Sequence, residues 1–271
     1  MYNLSELYYP ITANPAGGCE YLPCVALLPY IRCFWESPAE PREHQPETII
    51  PDSCMDIIWE WDEETGESGG IFCGINDAPF EAGQAVQLVP KQRFAIRFHF
   101  WAVHLFADEP MTEVLNVHVP VEHYFRTFRQ ELAERLQHAR TMAERIAAAE
   151  AFLLRRLVRP GRSSDGMMNA VYKLLQSKGR VTSGMLEGSS GISSRQLERL
   201  FRRYIGLPPK KVADLIRFQN VWLDLYRSPQ RPGVMQDIVY AYGYSHQSHL
   251  INNFKKFAGR TPLEALVRAK S

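Results

Sequence analysis

Two short stretches carry side chains whose hydrogen-bonding geometry suits the edges of nucleic-acid bases. One holds Arg195, Glu198, Arg199 and Arg202; the other holds Gln247, Ser248, His249 and Asn252. Arginine and the amide side chains present paired donors and acceptors that match purine edges. Apolar residues at helical spacing run through both stretches, Leu197, Leu200, Phe201 and Tyr204 in the first and Leu250, Phe254 and Phe257 in the second. The polar sets therefore fall on the outer faces of two amphipathic helices. A second group with chemical potential is the cysteines, Cys19, Cys24, Cys33, Cys54 and Cys73, with His99 and His104. Thiolates are soft ligands for zinc or copper. No Cys-x-x-Cys pair is present, however, and the spacing of Cys19, Cys24 and Cys33 fits no metal site. No motif stands beside a cysteine to activate it as a nucleophile. No separate His/Asp/Ser set rises above the background. The expectation is no catalytic residue, no metal and no cofactor.

The two polar helices belong to an internal repeat. Gly191-Ile192-Ser193, Leu197, Phe201-Arg202-Arg203-Tyr204, Gly206 and Pro209 reappear as Gly243-Tyr244-Ser245, Leu250, Phe254-Lys255-Lys256-Phe257, Gly259 and Pro262. From Leu197 onward the equivalents are 53 residues apart; one residue is inserted between the glycine and the leucine of the second copy. A repeat that keeps residue type and spacing together marks a repeated structural unit. Each copy reads as a tight glycine turn, a serine N-cap at Ser193 or Ser245, and a helix. A turn followed by a donor-rich helix is the layout of a helix-turn-helix reader. Between the copies, Pro208-Pro209 starts a helix running to about Tyr226, with proline placed in its first turn.

The stretch from about Ser164 to Arg268 resembles the DNA-binding domain of the AraC/XylS transcription regulators, which carry two helix-turn-helix units joined by a long helix. The residues that carry the resemblance are Gly191-Ile192-Ser193, Leu197, Phe201-Arg202-Arg203, Gly206, Arg217, Ile238, Gly243-Tyr244-Ser245, Gln247-Ser248-His249-Leu250, Phe254-Lys255-Lys256 and Gly259-Arg260-Thr261-Pro262. The resemblance implies base contacts from Arg195, Glu198 and Arg199 in the first unit and from Gln247, Ser248, His249 and Asn252 in the second. Phosphate contacts are expected from Arg202, Arg203, Lys210, Lys211, Lys255 and Lys256. Two positions depart from the family, which has alanine four residues before each turn glycine; Glu187 and Val239 stand there. Glu187 with Gly188 and two serines is also a weak helix former.

Charge is divided along the chain. From Ser164 to Ser271 there are 17 Lys+Arg against 7 Asp+Glu, a net +10. Residues 1–163 hold 14 basic and 23 acidic residues, a net −9, so the chain's overall +1 hides the division. The basic part is the part with the repeat, as contact with phosphate requires. The acidic part would repel DNA, which fits a sensor. No signal peptide and no apolar stretch of membrane-spanning length is present. With an odd number of cysteines, these features point to reduced thiols in a cytoplasm.

The expected fold class is α+β: a β-rich, cupin- or barrel-like N-terminal domain, a helical hairpin and an all-α C-terminal domain with two helix-turn-helix motifs. The boundaries read as 1–120, 121–160 and 164–271, with a short linker at Gly161 to Asp165. Expected strands are 48–50, 55–61, 71–75, 85–89 and 94–101, the last a clear alternation of Phe94, Ile96, Phe98 and Phe100 with Ala95, Arg97, His99 and Trp101. Cys24 to Trp35 is an apolar run, strand or short helix, and 38–46 is a polar loop. Tyr124, Phe128, Leu132 and Leu136, then Met142, Ile146, Ala149, Phe152, Leu153 and Leu157, give the two arms of the hairpin. Ile50-Pro51-Asp52-Ser53-Cys54-Met55-Asp56-Ile57-Ile58-Trp59, Phe94-Ala95-Ile96-Arg97-Phe98 and Val119-Pro120-Val121 resemble an uncharacterised domain that often precedes this DNA-binding domain.

The expected function is a cytoplasmic, sequence-specific transcription regulator, not an enzyme, whose partner is double-stranded promoter DNA. A small-molecule effector would enter an aromatic pocket of Trp35, Trp59, Trp61, Arg97, Phe98, His99 and Trp101. By resemblance the hairpin makes a homodimer, and RNA polymerase is a further partner open to such a regulator. The alternative is a thiol- or metal-responsive regulator with its chemistry at the N-terminal cysteines.

Overall fold

The computed structural model describes residues 4–13, 19–37, 47–62, 68–82, 91–157, 165–228 and 233–270. The expected strand 85–89, the polar loop 38–46 and most of the linker at 161–164 lie outside them.

The N-terminal part holds strands β1 (Cys19–Tyr21), β2 (Ile31–Ser37), β3 (Glu47–Ile49), β4 (Met55–Asp62), β5 (Ser68–Cys73), β6 (Phe80–Ala82), β7 (Lys91–Phe98) and β8 (His118–Pro120). Six form one antiparallel sheet in the order β1-β2-β7-β4-β5-β8, and β3 pairs with β6. The region is β-rich as expected, but the sheet is open rather than barrel-like. Its edge strands β1 and β8 are three residues each and do not pair with one another. The strand expected at 94–101 runs from Lys91 to Phe98 instead. Beyond it the chain turns, with Ala102 N–H donating to His99 O at 2.9 Å. The apolar run at 24–35 divides into turns and β2, and Cys24 O accepts from Leu27 N–H at 2.9 Å.

Alternation along the strands gives the sheet two unlike faces. One carries Phe34, Ile57, Trp59, Trp61, Phe72, Phe94, Ile96 and Phe98, all buried. Helices α1 (Arg126–Glu131), α2 (Ala133–His138) and α3 (Met142–Leu157) cover it. Phe128 is central to the contact. Its ring lies 6.4 Å from Trp59, 6.3 Å from Phe98 and 4.7 Å from Phe152. The first arm of the expected hairpin is thus two short helices meeting at Leu132.

On α3, Arg156 is buried among these rings and reaches back to the sheet region. It donates to Phe106 O at 2.7 Å and to Asp108 Oδ1 at 2.9 Å. Burial alone would raise the Asp108 carboxyl. The Thr127 backbone N–H and hydroxyl, then Arg156, outweigh it and hold the carboxyl below its usual range. A carboxyl whose folded pKa is depressed contributes stability that is complete above its unfolded pKa and is lost as pH falls through the folded value.

The C-terminal part is helical: α4 (Asp165–Gln176), α5 (Ser183–Ser190), α6 (Ser194–Tyr204), α7 (Pro209–Arg227), α8 (Val234–Ala241), α9 (Gln247–Ala258) and α10 (Pro262–Lys270). Among the described residues, no helix is long and apolar enough to cross a membrane. Arg156→Met should lower the unfolding free energy by about 2–3 kcal/mol near neutral pH, because it strips partners from a carbonyl and a carboxylate. It should also make the loss of stability in acid shallower; chemical denaturation between neutral and acidic pH checks both.

Candidate nucleic-acid interface

Helices α5 and α6 form the first helix-turn-helix, and α8 and α9 the second. The turn between α5 and α6 is left-handed at Gly191, φ +70°, and Gly243 in the second has φ +65°. In the first unit Ser193 Oγ caps α6 by accepting from Gln196 N–H at 3.4 Å, as its sequence position predicts. In the second unit the cap is His246, not Ser245. Nδ1 of His246 accepts from His249 N–H at 3.1 Å, while Ser245 Oγ sits 3.2 Å from Nδ1 of His249. The inserted residue moves the helix start by one and takes the cap with it.

Glu187, one departure from the family pattern, has a local task. Its carboxylate accepts from the backbone N–H of Ser194, at the start of α6. The Ser194 side chain and backbone N–H hold that carboxyl below its usual range. A negative charge there meets the positive end of the helix dipole. Thr182 caps α5, accepting from Met185 N–H at 3.3 Å, so the weak helix is closed at its start by hydrogen bonding. Val239, the other departure, is buried beneath the second turn, and its carbonyl accepts from Tyr244 N–H at 2.9 Å.

The outward faces of α6 and α9 carry the expected base readers. Arg195, Arg199, Gln247, Ser248, His249 and Asn252 are exposed. Glu198 is partly exposed and accepts from Arg202, at 2.8 Å to Nη2 and 3.1 Å to Nε. Of the expected phosphate contacts, Arg202, Arg203, Lys210, Lys255 and Lys256 are exposed. Lys211 is turned to a different partner, with Nζ 2.7 Å from Oδ2 of Asp77. Helix α7 joins the two units over 19 residues, about 28 Å at the helical rise. Arg217 on α7 lies 4.1 Å over the Tyr244 ring, and Arg180 donates to Ala241 O at 2.7 Å, which together hold the second unit in place.

Sequence reasoning missed how α7 is held. Gln219 is buried within it, and its amide serves three backbone groups of the N-terminal region. Oε1 accepts from Ile11 N–H at 2.8 Å, and Nε2 donates to Pro51 O at 2.6 Å and to Ile11 O at 3.2 Å. Trp222 Nε1 donates to Thr12 O at 3.0 Å. The available signal was an amide pair, Gln219-Asn220, inside the apolar stretch from Phe218 to Trp222.

The residues expected to line a single aromatic pocket are divided. Trp59, Trp61 and Phe98 lie on the helix-covered face, packed as core. Trp35 and Arg97 lie on the opposite face, where Arg97 makes a two-point contact with Asp56, 3.0 Å at each bond, and lies 3.4 Å from Asp52. His99 stacks on Trp101 at 4.3 Å beyond the end of β7. Burial, then Arg32, pushes the His99 imidazole down to about 3, so it is neutral near pH 7.

On the Arg97 face, register places Cys33, Arg97, Asp56, Cys73 and His118 in one row across five strands. The row does not activate the thiols. Burial pushes Cys33 up to about 12 despite the pull of Arg97. Burial, with Asp56 and Glu60, takes Cys73 to about 12, and burial also raises Cys54. Among the described residues, no group of three or more His, Cys, Asp or Glu side chains is placed to hold a metal ion. Cys33, Cys54 and Cys73 should therefore resist a thiol reagent in the folded protein at about pH 8 and react on unfolding, since the thiolate is the reactive form. Mass-spectrometric counting of labelled cysteines reads this directly; rapid folded-state labelling at any of the three would revive the thiol reading.

Residues 19–120 match the family described as "Domain of unknown function (DUF6597)", and residues 188–268 match the one described as "Helix-turn-helix domain". No curated protein matches the chain. Solved structures of ToxT from Vibrio cholerae are similar at a low level. One is 11% identical, covers 86% of this chain and 98% of its own, and has a TM-score of 0.43. Another, of ToxT bound to (E)-4-(8-methylnaphthalen-1-yl)but-3-enoic acid, is 10% identical over 87% of this chain and 97% of its own, with a TM-score of 0.42. Likeness at that level carries no functional argument. The matches and the repeated turn-and-helix geometry agree: the chain carries a helix-turn-helix domain at residues 188–268 and a domain of unknown function at residues 19–120.

Proposed function

We propose that the chain is a cytoplasmic, sequence-specific transcription regulator that reads promoter DNA with α6 and α9 and responds to a small molecule through its N-terminal region. One observation carries the DNA-reading part. Two helices, each the second of a helix-turn-helix, present exposed donor-rich faces on the basic part of the chain. Arg195, Glu198 and Arg199 read bases in one half-element, and Gln247, Ser248, His249 and Asn252 read them in the other. Arg202, Arg203, Lys210, Lys255 and Lys256 meet phosphates. Lys211 is left out of that set because Asp77 holds it.

The effector is met on the Arg97 face of the sheet. Support comes from Trp35, whose buried indole N–H has no hydrogen-bond partner among the described residues, next to the apolar Ala95 and Ile58. The raised thiols favour this reading over chemistry at the cysteines. Two copies associate through α3 and the loop after β1. Support for that is a run of exposed apolar residues: Leu22, Val25 and Leu154 are 68%, 83% and 37% exposed. The loop lies against the helix because Cys24 N–H donates to Oε1 of Glu150. RNA polymerase is a partner consistent with the role.

Arg199→Ala should weaken binding to the selected site by about 1–3 kcal/mol and leave binding to random DNA nearly unchanged. Titrations at several salt concentrations check this; an equal loss on both DNAs would remove Arg199 from base reading. Sedimentation of the full chain should show a dimer that Val25→Asp with Leu154→Lys converts to monomer, and a wild-type monomer at the concentrations that bind DNA would end the dimer proposal.

A further inference from the structure

The two halves of the reader end alike. Helix α6 closes on Gly206, φ +85°, and α9 on Gly259, φ +70°, equivalent positions of the repeat. Both turns rest on the N-terminal region. A Cβ at Gly206 would collide with Met111 O and with Cγ2 of Val114, and one at Gly259 would stand 3.1 Å from Cγ of Pro79. Glycine is required where the backbone approaches this closely in a left-handed turn. Met111 N–H also donates to Arg203 O at 2.9 Å, so a carbonyl in the last turn of α6 finds its partner outside its own repeat. The neighbouring Tyr204 ring lies 5.0 Å from that of His104.

The loops that carry Met111 and Pro79 are one unit. Ile75 bridges to Leu115, Asn116 N–H donates to Ile75 O at 2.8 Å, and Gly74 N–H donates to Val117 O at 2.9 Å. Asp77 N–H donates to Asn116 Oδ1 at 3.1 Å, and Asn116 Nδ2 donates back to Asp77 Oδ1 at 2.8 Å. The second carboxylate oxygen of Asp77 takes Lys211, in the first turn of α7. Burial would raise this carboxyl. Hydrogen bonds from Lys211 and Asn116, with the charges of Lys211 and Lys256, hold it below its usual range instead, so it is ionised near pH 7. One small platform therefore touches the end of each recognition helix and the start of the helix between them.

The contacts fall at the C-terminal ends of α6 and α9. The candidate base readers lie nearer the N-terminal ends and stay exposed, Glu198 in part. Docking thus leaves the reading faces open and acts on their geometry. Packed helices can still slide by small shears, and a further contact at the far end of each reader resists that movement. We propose that Asp77 is a positioning residue for DNA reading: with Asn116 and Lys211 it locks the platform to the reader, so that α6 and α9 recognise their two half-elements at one fixed spacing. This rests on the reading of α6 and α9 as base readers.

The test is selection of bound sites from a random-sequence duplex library, using the full-length wild type, Asp77→Glu and Asp77→Lys, with folding checked by thermal melting. Wild type and Asp77→Glu should enrich two half-elements at a single spacing. Asp77→Lys should enrich the same half-elements over several spacings, its preference for the wild-type spacing falling by about tenfold, the scale of one misplaced base contact. A folded Asp77→Lys protein that keeps the single spacing overturns the proposal, as does a folded one that enriches neither half-element. If Asp77→Lys does not fold, Asn116→Ala opens the same platform without reversing a charge and is read by the same two outcomes. If the wild type itself enriches nothing, the DNA-reading conclusion falls and takes the proposal with it, a result distinct from a wild-type motif whose spacing ignores Asp77.

Discussion

An amide buried in the interior must find partners for its donors and its acceptor, or each unmet group costs about 1–3 kcal/mol. Gln219 meets that demand by reaching from the middle of α7 to Ile11 and Pro51. Much else depends on it. The contact ties the helix between the two helix-turn-helix units to residue Ile11 and to the turn that leads into β4. Trp222 adds a fourth bond one turn along, to Thr12. The C-terminal helices are therefore not an independent bundle carried on a tether; their central rod is hydrogen-bonded into the sheet region.

The sheet region settles two opposing demands on its two faces. One face is a continuous aromatic core shared with α1 to α3, where Phe128 meets rings from two strands and from α3. The other face carries charge out of full contact with water, and tolerates it because opposite charges are adjacent. Arg97 sits between Asp52 and Asp56, and Arg93 meets Glu60 at 2.6 Å. The same burial that makes these pairs necessary keeps the neighbouring thiols protonated. Thiols held in their protonated form beside paired charges are poor nucleophiles.

In the helix-turn-helix units, local hydrogen bonds do what helix propensity does not. Thr182 stabilises α5 at its start, and Ser193 and Glu187 stabilise α6 at its start, although the last turn of α5, Glu187-Gly188-Ser189-Ser190, is a poor helix former. The second unit uses an imidazole for the same purpose. The two copies keep one geometry through different side chains, because an orphan N–H at a helix start can donate to any well-placed acceptor.

The repeat, the charge division and the period-two run around β7 were all legible in the order of residues. Each is a local or periodic property: helical spacing, glycine at left-handed turns, and alternation follow from backbone geometry that every residue carries with it. The core residues from Phe94 to Phe98 and the exposed polar faces of α6 and α9 could be named for the same reason. The short strands β1, β6 and β8 could not, since three residues hold too little of any period, and the end of β7 was misplaced because His99 and Trp101 continue the alternation while stacking beyond the strand. Which aromatics share a face was decided by the fold, since Trp35 and Trp59 differ only in the register at which their strands meet. The partners of Gln219, Asp77, Arg156 and Gly206 were likewise decided by tertiary structure. Each joins segments far apart in the chain, and a contact of that kind exists only once packing has brought its two sides together.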